Sequence, residues 1–378
     1  MILQITECYD KMNSRKAVQL MYESYTTLKI KEKAGIEPAV LELQFRKRHK
    51  ELLPLPGLQN TALYMVRTEE IQNRLKSIDS LYRKVSRRQK VQDVILLDAF
   101  HSATIEGAKT TVEKIRKSYD KPTSKDDKMV VNTIHGINYA YENEISLDNI
   151  RTLWEIVIRD VCENEQLAGV LFRTGMVYVG SNTDIIHTPA EPEQIEGMMK
   201  TLFAFAASSQ YNVWLTASIL HFYFVYIHPF CDGNGRTARI LTQSFLLHKG
   251  MDKIKYLPLA RTINNSLSGY YTSLKEAEAV WVNGKHWIDI TPFLDYLLGT
   301  MEECIVTSIK EDYELSDNQK LLLRKMQKCG KGAEITISRA ADMLKISQAG
   351  AGRILNVLTE MGYLEKTRRD RKNIYILQ

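Results

Sequence analysis

Through most of the chain apolar residues recur at a spacing near 3.6, and long stretches contain no helix breaker. The 378 residues include only 19 glycines and 9 prolines. This pattern predicts a mainly helical protein. Residues 62–106 contain neither glycine nor proline, and Leu75, Ile78, Leu81, Tyr82 and then Val94, Leu97, Phe100 fall on helical faces. Two helices are expected there, with a break near Arg87-Arg88-Gln89-Lys90. Two more are expected over 125–161, and others over 193–207, 211–227, 236–249, 262–280 and 291–312. Gly250 follows the 236–249 helix at the position that favours glycine. The pattern changes at 176–187. Met176-Val177-Tyr178-Val179, then Gly180-Ser181-Asn182, then Ile185-Ile186-His187 read as a β-hairpin, closed by Pro189 and Pro192.

The last 63 residues read as a separate unit. A helix around Leu321–Met326 is followed by a short strand at Ile335-Thr336-Ile337. A helix N-capped by Ser338 reaches Leu344, and another N-capped by Ser347 reaches Met361. Two strands, Tyr363–Lys366 and Asn373–Ile376, flank a basic tip from Thr367 to Lys372. This is the order of a winged helix-turn-helix, which can place a helix in a DNA groove and its wing on phosphates. Residues 316–378 hold 13 Lys+Arg against 6 Asp+Glu, whereas the whole chain carries only +6. A basic surplus confined to one module points to an anionic partner there. Protein docking remains the alternative.

Composition narrows the class. Apolar residues make up 44% and charged residues 25%, as in an ordinary globular protein. Five cysteines (Cys8, Cys162, Cys231, Cys304, Cys329) stand far apart with no C-x-x-C pair, which argues against a disulfide framework or cysteine zinc site and for a reducing, cytoplasmic setting. No signal peptide or membrane span is expected. No His–x–x–x–His pair exists. His221 is expected in the core and His101 on a helix surface. Trp154, Trp214, Trp281 and Trp287 are expected to be packing anchors.

The chemistry concentrates at 228–239, His-Pro-Phe-Cys-Asp-Gly-Asn-Gly-Arg-Thr-Ala-Arg. An apolar helix delivers His228, a titratable base. Gly233 and Gly235 are expected at positive φ, turning backbone N–H groups inward at the start of the next helix as an anion site. Arg236 and Arg239, three apart, can reach the same side of it. Asp232 is a hard oxygen ligand of the type that shares magnesium with phosphates. A phosphate-chain site with a base beside it is the inventory of a phosphoryl or nucleotidyl transferase. A Walker A loop is absent. An EF-hand starting at Asp232 fails at Thr237 and Gln243.

This segment resembles the Fic family motif, H-x-F-x-D/E-G-N-G-R-x-x-R, and every fixed position is matched. The resemblance runs over roughly 95–300. It includes Phe172-Arg173-Thr174, His187-Thr188-Pro189 and the pair Tyr270-Tyr271. It implies a Fic-type helical core with a short β-hairpin flap, ahead of the winged-helix module. The domains implied are an N-terminal helical region at 1–90, the core at 91–312 and the terminal domain at 316–378. It also implies transfer of AMP from ATP to a Ser, Thr or Tyr hydroxyl of a target protein, with His228 as base, Asp232 on magnesium and Phe230 as anchor. Gly233, Asn234, Gly235, Arg236, Thr237, Arg239 and Tyr271 would bind ATP. The flap, about 176–187, would pair with the target through main-chain hydrogen bonds. Gly235 stands where phosphorylating members carry Lys, which favours nucleotide transfer.

A second match, Ser102-Ala103-Thr104-Ile105-Glu106-Gly107, fits the family's inhibitory pattern S/T-x-x-x-E-G/N. Glu106, ending a helix at about 94–107, would pair with Arg239 in a bidentate fork and take the charge meant for the γ-phosphate. The sequence departs from common family patterns at Cys231, at Glu278, where relatives carry Asn, and across Val280–Lys285. Two other readings stay open: a DNA-binding regulator using the core as a nucleotide sensor, and an enzyme that mainly removes AMP. A homodimer is left open.

Overall fold

The computed structural model describes residues 50–377, apart from 59–60, 88, 164–165, 167, 182–183, 279, 283–284, 314–315, 331, 361–362 and 370–371. Residues 1–49, with Cys8 and most of the expected N-terminal helical region, lie outside it. The chain divides into two compact units, one through Val306 and one from Thr307.

The described part of the first unit opens on a hairpin. Strands β1 (Lys50–Pro56) and β2 (Ala62–Val66) pair antiparallel. The helix expected from residue 62 begins only at Glu69, where Thr68 accepts from the Ile71 N–H. Leu63 to Val66 are all buried. A short apolar run buried on both faces has no period that separates strand from helix. Here long-range pairing decides: β2 runs parallel to Lys285–Asp289, itself paired antiparallel with Val280–Val282. That second hairpin was not expected either. The helix expected over 262–280 is instead two helices, Leu259–Asn265 and Leu267–Glu278, followed by this hairpin.

The remaining helices are α1 (Glu69–Tyr82), α2 (Val91–Ile105), α3 (Val112–Ser118), α4 (Lys125–Glu142), α5 (Ile150–Ile158), α6 (Pro192–Ser208), α7 (Val213–Ile227) and α8 (Asn234–His248). The two just given are α9 (Leu259–Asn265) and α10 (Leu267–Glu278), and α11 spans Thr291–Tyr313. Helix α7 is buried on every face, which its composition dictates, since VWLTASILHFYFVYI has no charged residue. Helix α8 packs on α7 and is flanked by α2, α4 and α5. The expected hairpin is present as strands β3 (Val179–Ser181) and β4 (Asp184–His187). Gly250 takes φ +88 after α8, as its position required.

The second unit follows the expected order. Helix α12 (Asp317–Gln327) starts with a Ser316/Gln319 capping box. Strand Glu334–Thr336 leads into α13 (Ile337–Leu344), then α14 (Gln348–Glu360), then paired strands Leu364–Arg369 and Lys372–Leu377. One boundary differs. Thr336, two residues earlier than Ser338, is the N-cap of α13, accepting from the Arg339 N–H. The unit has its own core, with Leu322, Ala340, Leu355, Leu358 and Tyr375 fully buried. Among the described residues no helix is long and apolar enough to cross a membrane.

Candidate active site

Helix α7 ends at His228, which adopts a left-handed conformation, φ 53° and ψ 62°. For a residue with a Cβ this is strained, and surrounding contacts must hold it. Arg173 does so: its Nε donates to the His228 carbonyl at 2.8 Å and its backbone N–H to Pro229 at 3.0 Å. The same buried guanidinium donates to the carbonyls of Gly175 (2.7 Å) and Ala190. It therefore ties the turn before the flap, the segment after it and the motif loop together. His228 Nδ1 donates to the Val225 carbonyl at 3.2 Å, which leaves Nε2 as the acceptor. Burial, then the neighbouring His187, push the His228 imidazole down to about 4. It is a neutral base at neutral pH.

The loop that follows is braced from within. The Asn234 side chain accepts from the Phe230 N–H at 2.9 Å and donates to the Phe230 carbonyl at 2.8 Å. The Phe230 ring stacks on Trp154 with centroids 4.8 Å apart, and Trp154 Nε1 donates to the Asp232 carbonyl at 2.8 Å. Asn234 thus serves the loop with its side chain, and only its backbone amide is left to face an anion. Thr237 is likewise engaged, its hydroxyl donating to the Gly233 carbonyl at 2.9 Å within α8. Phe230→Ala should cost about 3–5 kcal/mol, the usual range for a buried aromatic. Urea denaturation checks this, and a shift under about 1 kcal/mol would show that Phe230 does not anchor the loop.

The two glycines differ. Gly233 takes φ 74° as N-cap of α8, as expected. Gly235 does not take positive φ; it lies inside the first turn of α8, and its role is close approach. A Cβ there would lie 2.2 Å from Glu106 Oε1. The Glu106 carboxylate therefore already sits at the positive end of α8, where an anion is favoured.

Arg239 meets that carboxylate differently from the expected fork. Its Nη2 donates to Glu106 Oε1 at 2.7 Å and to the Ser102 carbonyl at 2.9 Å, and its Nε donates to Ser102 Oγ at 2.8 Å. The helix end as a whole, not one carboxylate, grips the guanidinium. Partial burial favours the neutral acid, but Arg239 outweighs it and holds Glu106 below the usual carboxylate range. Burial opposes the Arg239 charge, yet Glu106 raises it overall. Helix α2 is fixed in register by buried Asp98, which accepts from Gln243 Nε2 at 2.7 Å and from the Ala260 N–H at 2.6 Å. Neither Asp98 nor Arg173 was assigned a role from sequence. Asp98 could have been found, because Asp98, Ser102 and Glu106 repeat every four residues and share one helix face.

Arg236 does not join Arg239 at this point. It is 1% exposed and lies beneath the loop, donating from Nη1 to the Val157 carbonyl at 3.1 Å, with Nη2 3.6 Å from Asp232 Oδ1 and a buried Nε that has no partner. Asp232 Oδ2 accepts from the Glu163 N–H at 3.3 Å. No cluster of three metal-ligating side chains exists among the described residues. A single part-exposed carboxylate suits a magnesium ion that takes its other oxygens from phosphates and water.

His228, Gly235, Arg239, Glu106 and Tyr271 line one pocket, together with Val179 and His187 of the flap. His187 Nε2 donates to the Tyr226 carbonyl at 2.7 Å, anchoring the flap beside His228. Tyr271 is 38% exposed at the rim. His221 is core, as expected: Thr242 donates to Ala238, so His221 Nδ1 donates to Thr242 Oγ1 (2.9 Å) and Nε2 accepts from Tyr270 (2.9 Å). Cys231 is buried as expected, and burial followed by the nearby Cys162 pushes its thiol up to about 12. The two sulfurs, far apart in sequence, lie 3.7 Å apart.

Residues 144–246 match the Fic/DOC family. The protein adenylyltransferase Fic of Drosophila erecta is 25% identical over 308 residues, covering 74% of this chain and 58% of that protein. Its Drosophila willistoni counterpart is 28% identical over 232 residues, covering 58% of this chain and 42% of that protein. The chain thus spans less than two thirds of the length of these curated relatives. A Fic family protein from Desulfovibrio desulfuricans superposes with a TM-score of 0.55 at 20% identity, covering 82% of this chain and 96% of that one. Fic-1 from C. elegans gives 0.55 at 18% identity, covering 79% of this chain and 84% of that one. The fold is shared with these.

Proposed function

We propose that the chain transfers AMP from ATP to Ser, Thr or Tyr hydroxyls of target proteins, itself included, and that Glu106 holds this activity in check. The observation that carries the reading is the pocket that gathers a neutral His228, the N-terminus of α8 and Arg239, with Glu106 already in the anion position. In the transfer, His228 Nε2 takes the proton of the target hydroxyl. The oxygen attacks the α-phosphorus, and the bond to the bridging oxygen breaks to release pyrophosphate. The amides of Asn234 and Gly235 face the phosphates, while that of Gly233 donates to the Asp232 carboxylate, and Arg239 takes the terminal phosphate once Glu106 withdraws. Magnesium at Asp232 would supply counter-charge to the phosphates. A target segment would lie along the flap as an added strand, which makes recognition largely indifferent to its sequence. Incubating the purified protein with α-labelled ATP and magnesium tests the reading: labelled protein is expected, and its complete absence, even after Glu106→Gly, would favour the nucleotide-sensor reading.

DNA is the partner we propose for the second unit, from its element order and its basic hairpin. Arg368 and Arg369 lie on that hairpin, and Arg369 currently pairs with Glu334 at 2.9 Å. Replacing Arg368, Arg369 and Arg371 should weaken DNA binding at low salt and flatten its salt dependence by roughly one unit of slope per lost phosphate contact. Fluorescence anisotropy at several salt concentrations measures this. Intact protein without DNA affinity would favour protein docking.

A further inference from the structure

Cys231 occupies a variable position of the motif, between the base and the Asp232 carboxylate. Its sulfur lies 3.7 Å from that of Cys162, in the turn that follows α5. A disulfide requires about 2.05 Å, so a displacement of under 2 Å joins them. The two partners differ in freedom. Cys231 is 5% exposed in a loop braced by Asn234 and Trp154. Cys162 is half-buried, and the turn before it includes Asp160 at φ 58°. Cys162 is therefore the residue that solvent reaches and the one that can move.

We propose that Cys162 and Cys231 form an oxidisable dithiol whose disulfide clamps the motif loop to the turn after α5. A hydroperoxide is the oxidant. The Cys162 thiolate attacks one peroxide oxygen, the O–O bond breaks, and Cys162 becomes a sulfenic acid as hydroxide leaves. The Cys231 sulfur then attacks the Cys162 sulfur, the S–O bond breaks, and water leaves with the Cys231 proton. Two thiols and one hydrogen peroxide yield one disulfide and two waters. A dithiol reductant reverses the modification.

The clamp has a local consequence. The Glu163 amide already donates to Asp232, so the turn and the loop meet at two adjacent points. Cys162 supplies most of the movement, and its pull, through the new bond and the Glu163–Asp232 contact, strains Asp232 away from its place beside His228. Misplacing reacting groups by about 1 Å can cost on the order of 10²-fold in rate, so oxidation should slow AMP transfer by roughly tenfold or more. This last effect rests on the proposed activity; the disulfide does not.

The full chain, reduced and then treated with hydrogen peroxide, is alkylated without reduction, digested and mapped by mass spectrometry. A peptide pair joining Cys162 to Cys231, absent after dithiothreitol and absent from Cys162→Ser, is expected. Sulfinic acid at Cys162 with no cross-link, or cross-links only through Cys329, would overturn the proposal. In parallel, peroxide should slow self-labelling in wild type reversibly, and far less in Cys162→Ser. Equal loss in both would overturn the clamp. The wild-type map decides even if the variant folds poorly. Reduced protein that labels nothing would count against the transferase reading and leave the mapping result standing.

Discussion

His228→Ala is expected to lower AMP transfer by about 10²–10⁴-fold, the contribution typical of a general base. Retention of ATP affinity distinguishes this from a collapsed site. The groups placed to face phosphates are the α8 amides and Arg239, and neither is held by the imidazole. The loop should survive, because Arg173 grips the carbonyl of residue 228 and not its side chain. Single-turnover labelling and ATP titration together check the prediction, and full labelling by the variant would remove His228 from the role. The imidazole offers a second measurement. Burial, reinforced by the neighbouring His187 and Arg173, holds it at about 4. The base form is therefore present above that value and is lost only as pH falls through it. An NMR titration of the free protein should find His228 still neutral at pH 5.5, where an ordinary imidazole near 6.5 is mostly charged. A midpoint near 6.5 would show an open site.

Much of this site could be read from residue order because its chemistry is local. His228, Asp232, Gly233 and Arg239 fall within twelve residues, and a helix–loop–helix places them without long-range information. The meeting of Glu106 with Arg239 was also legible, since Ser102 and Glu106 lie one turn apart on the same face of α2. The features missed depend on residues distant in the chain. Arg173 acts through carbonyls of residues 175, 190 and 228, and no local pattern encodes which carbonyls will meet. Strand β2 reads as helix because its identity comes from pairing with Lys285–Asp289 more than 200 residues away. Gly235 was read as a turn glycine, but its missing side chain makes room for a carboxylate from another helix. Asn234 and Thr237 sit in the right motif, yet their side chains are used up in holding it. Motif membership alone does not tell a ligand from a brace.

Glu106→Gly should accelerate self-labelling. The Glu106 carboxylate occupies the N-terminal end of α8 and bonds to Arg239, so it competes with ATP for the same two positive features. Removing it frees both. Coupling between an internal inhibitor and a ligand is typically about 1–3 kcal/mol, which predicts a rise of roughly 5–150-fold. The free protein should respond in the opposite sense. Arg239 is 2% exposed, and among the described residues its hydrogen-bond partners without Glu106 are the Ser102 hydroxyl and carbonyl. The melting temperature of Glu106→Gly should therefore fall without ATP and recover more than wild type when ATP is added, since the terminal phosphate replaces the lost carboxylate. Arg239→Ala breaks the same pair but discards the phosphate contact, so it should not activate. The double variant should match Arg239→Ala, because Glu106 then has nothing left to inhibit through, and the four rates form a mutant cycle. A rate for Glu106→Gly no higher than wild type at subsaturating ATP, with magnesium present, would end the autoinhibition reading. If that variant instead also loses the ability to remove AMP from a modified protein, Glu106 acts as a catalytic carboxylate, and removal becomes the main reaction.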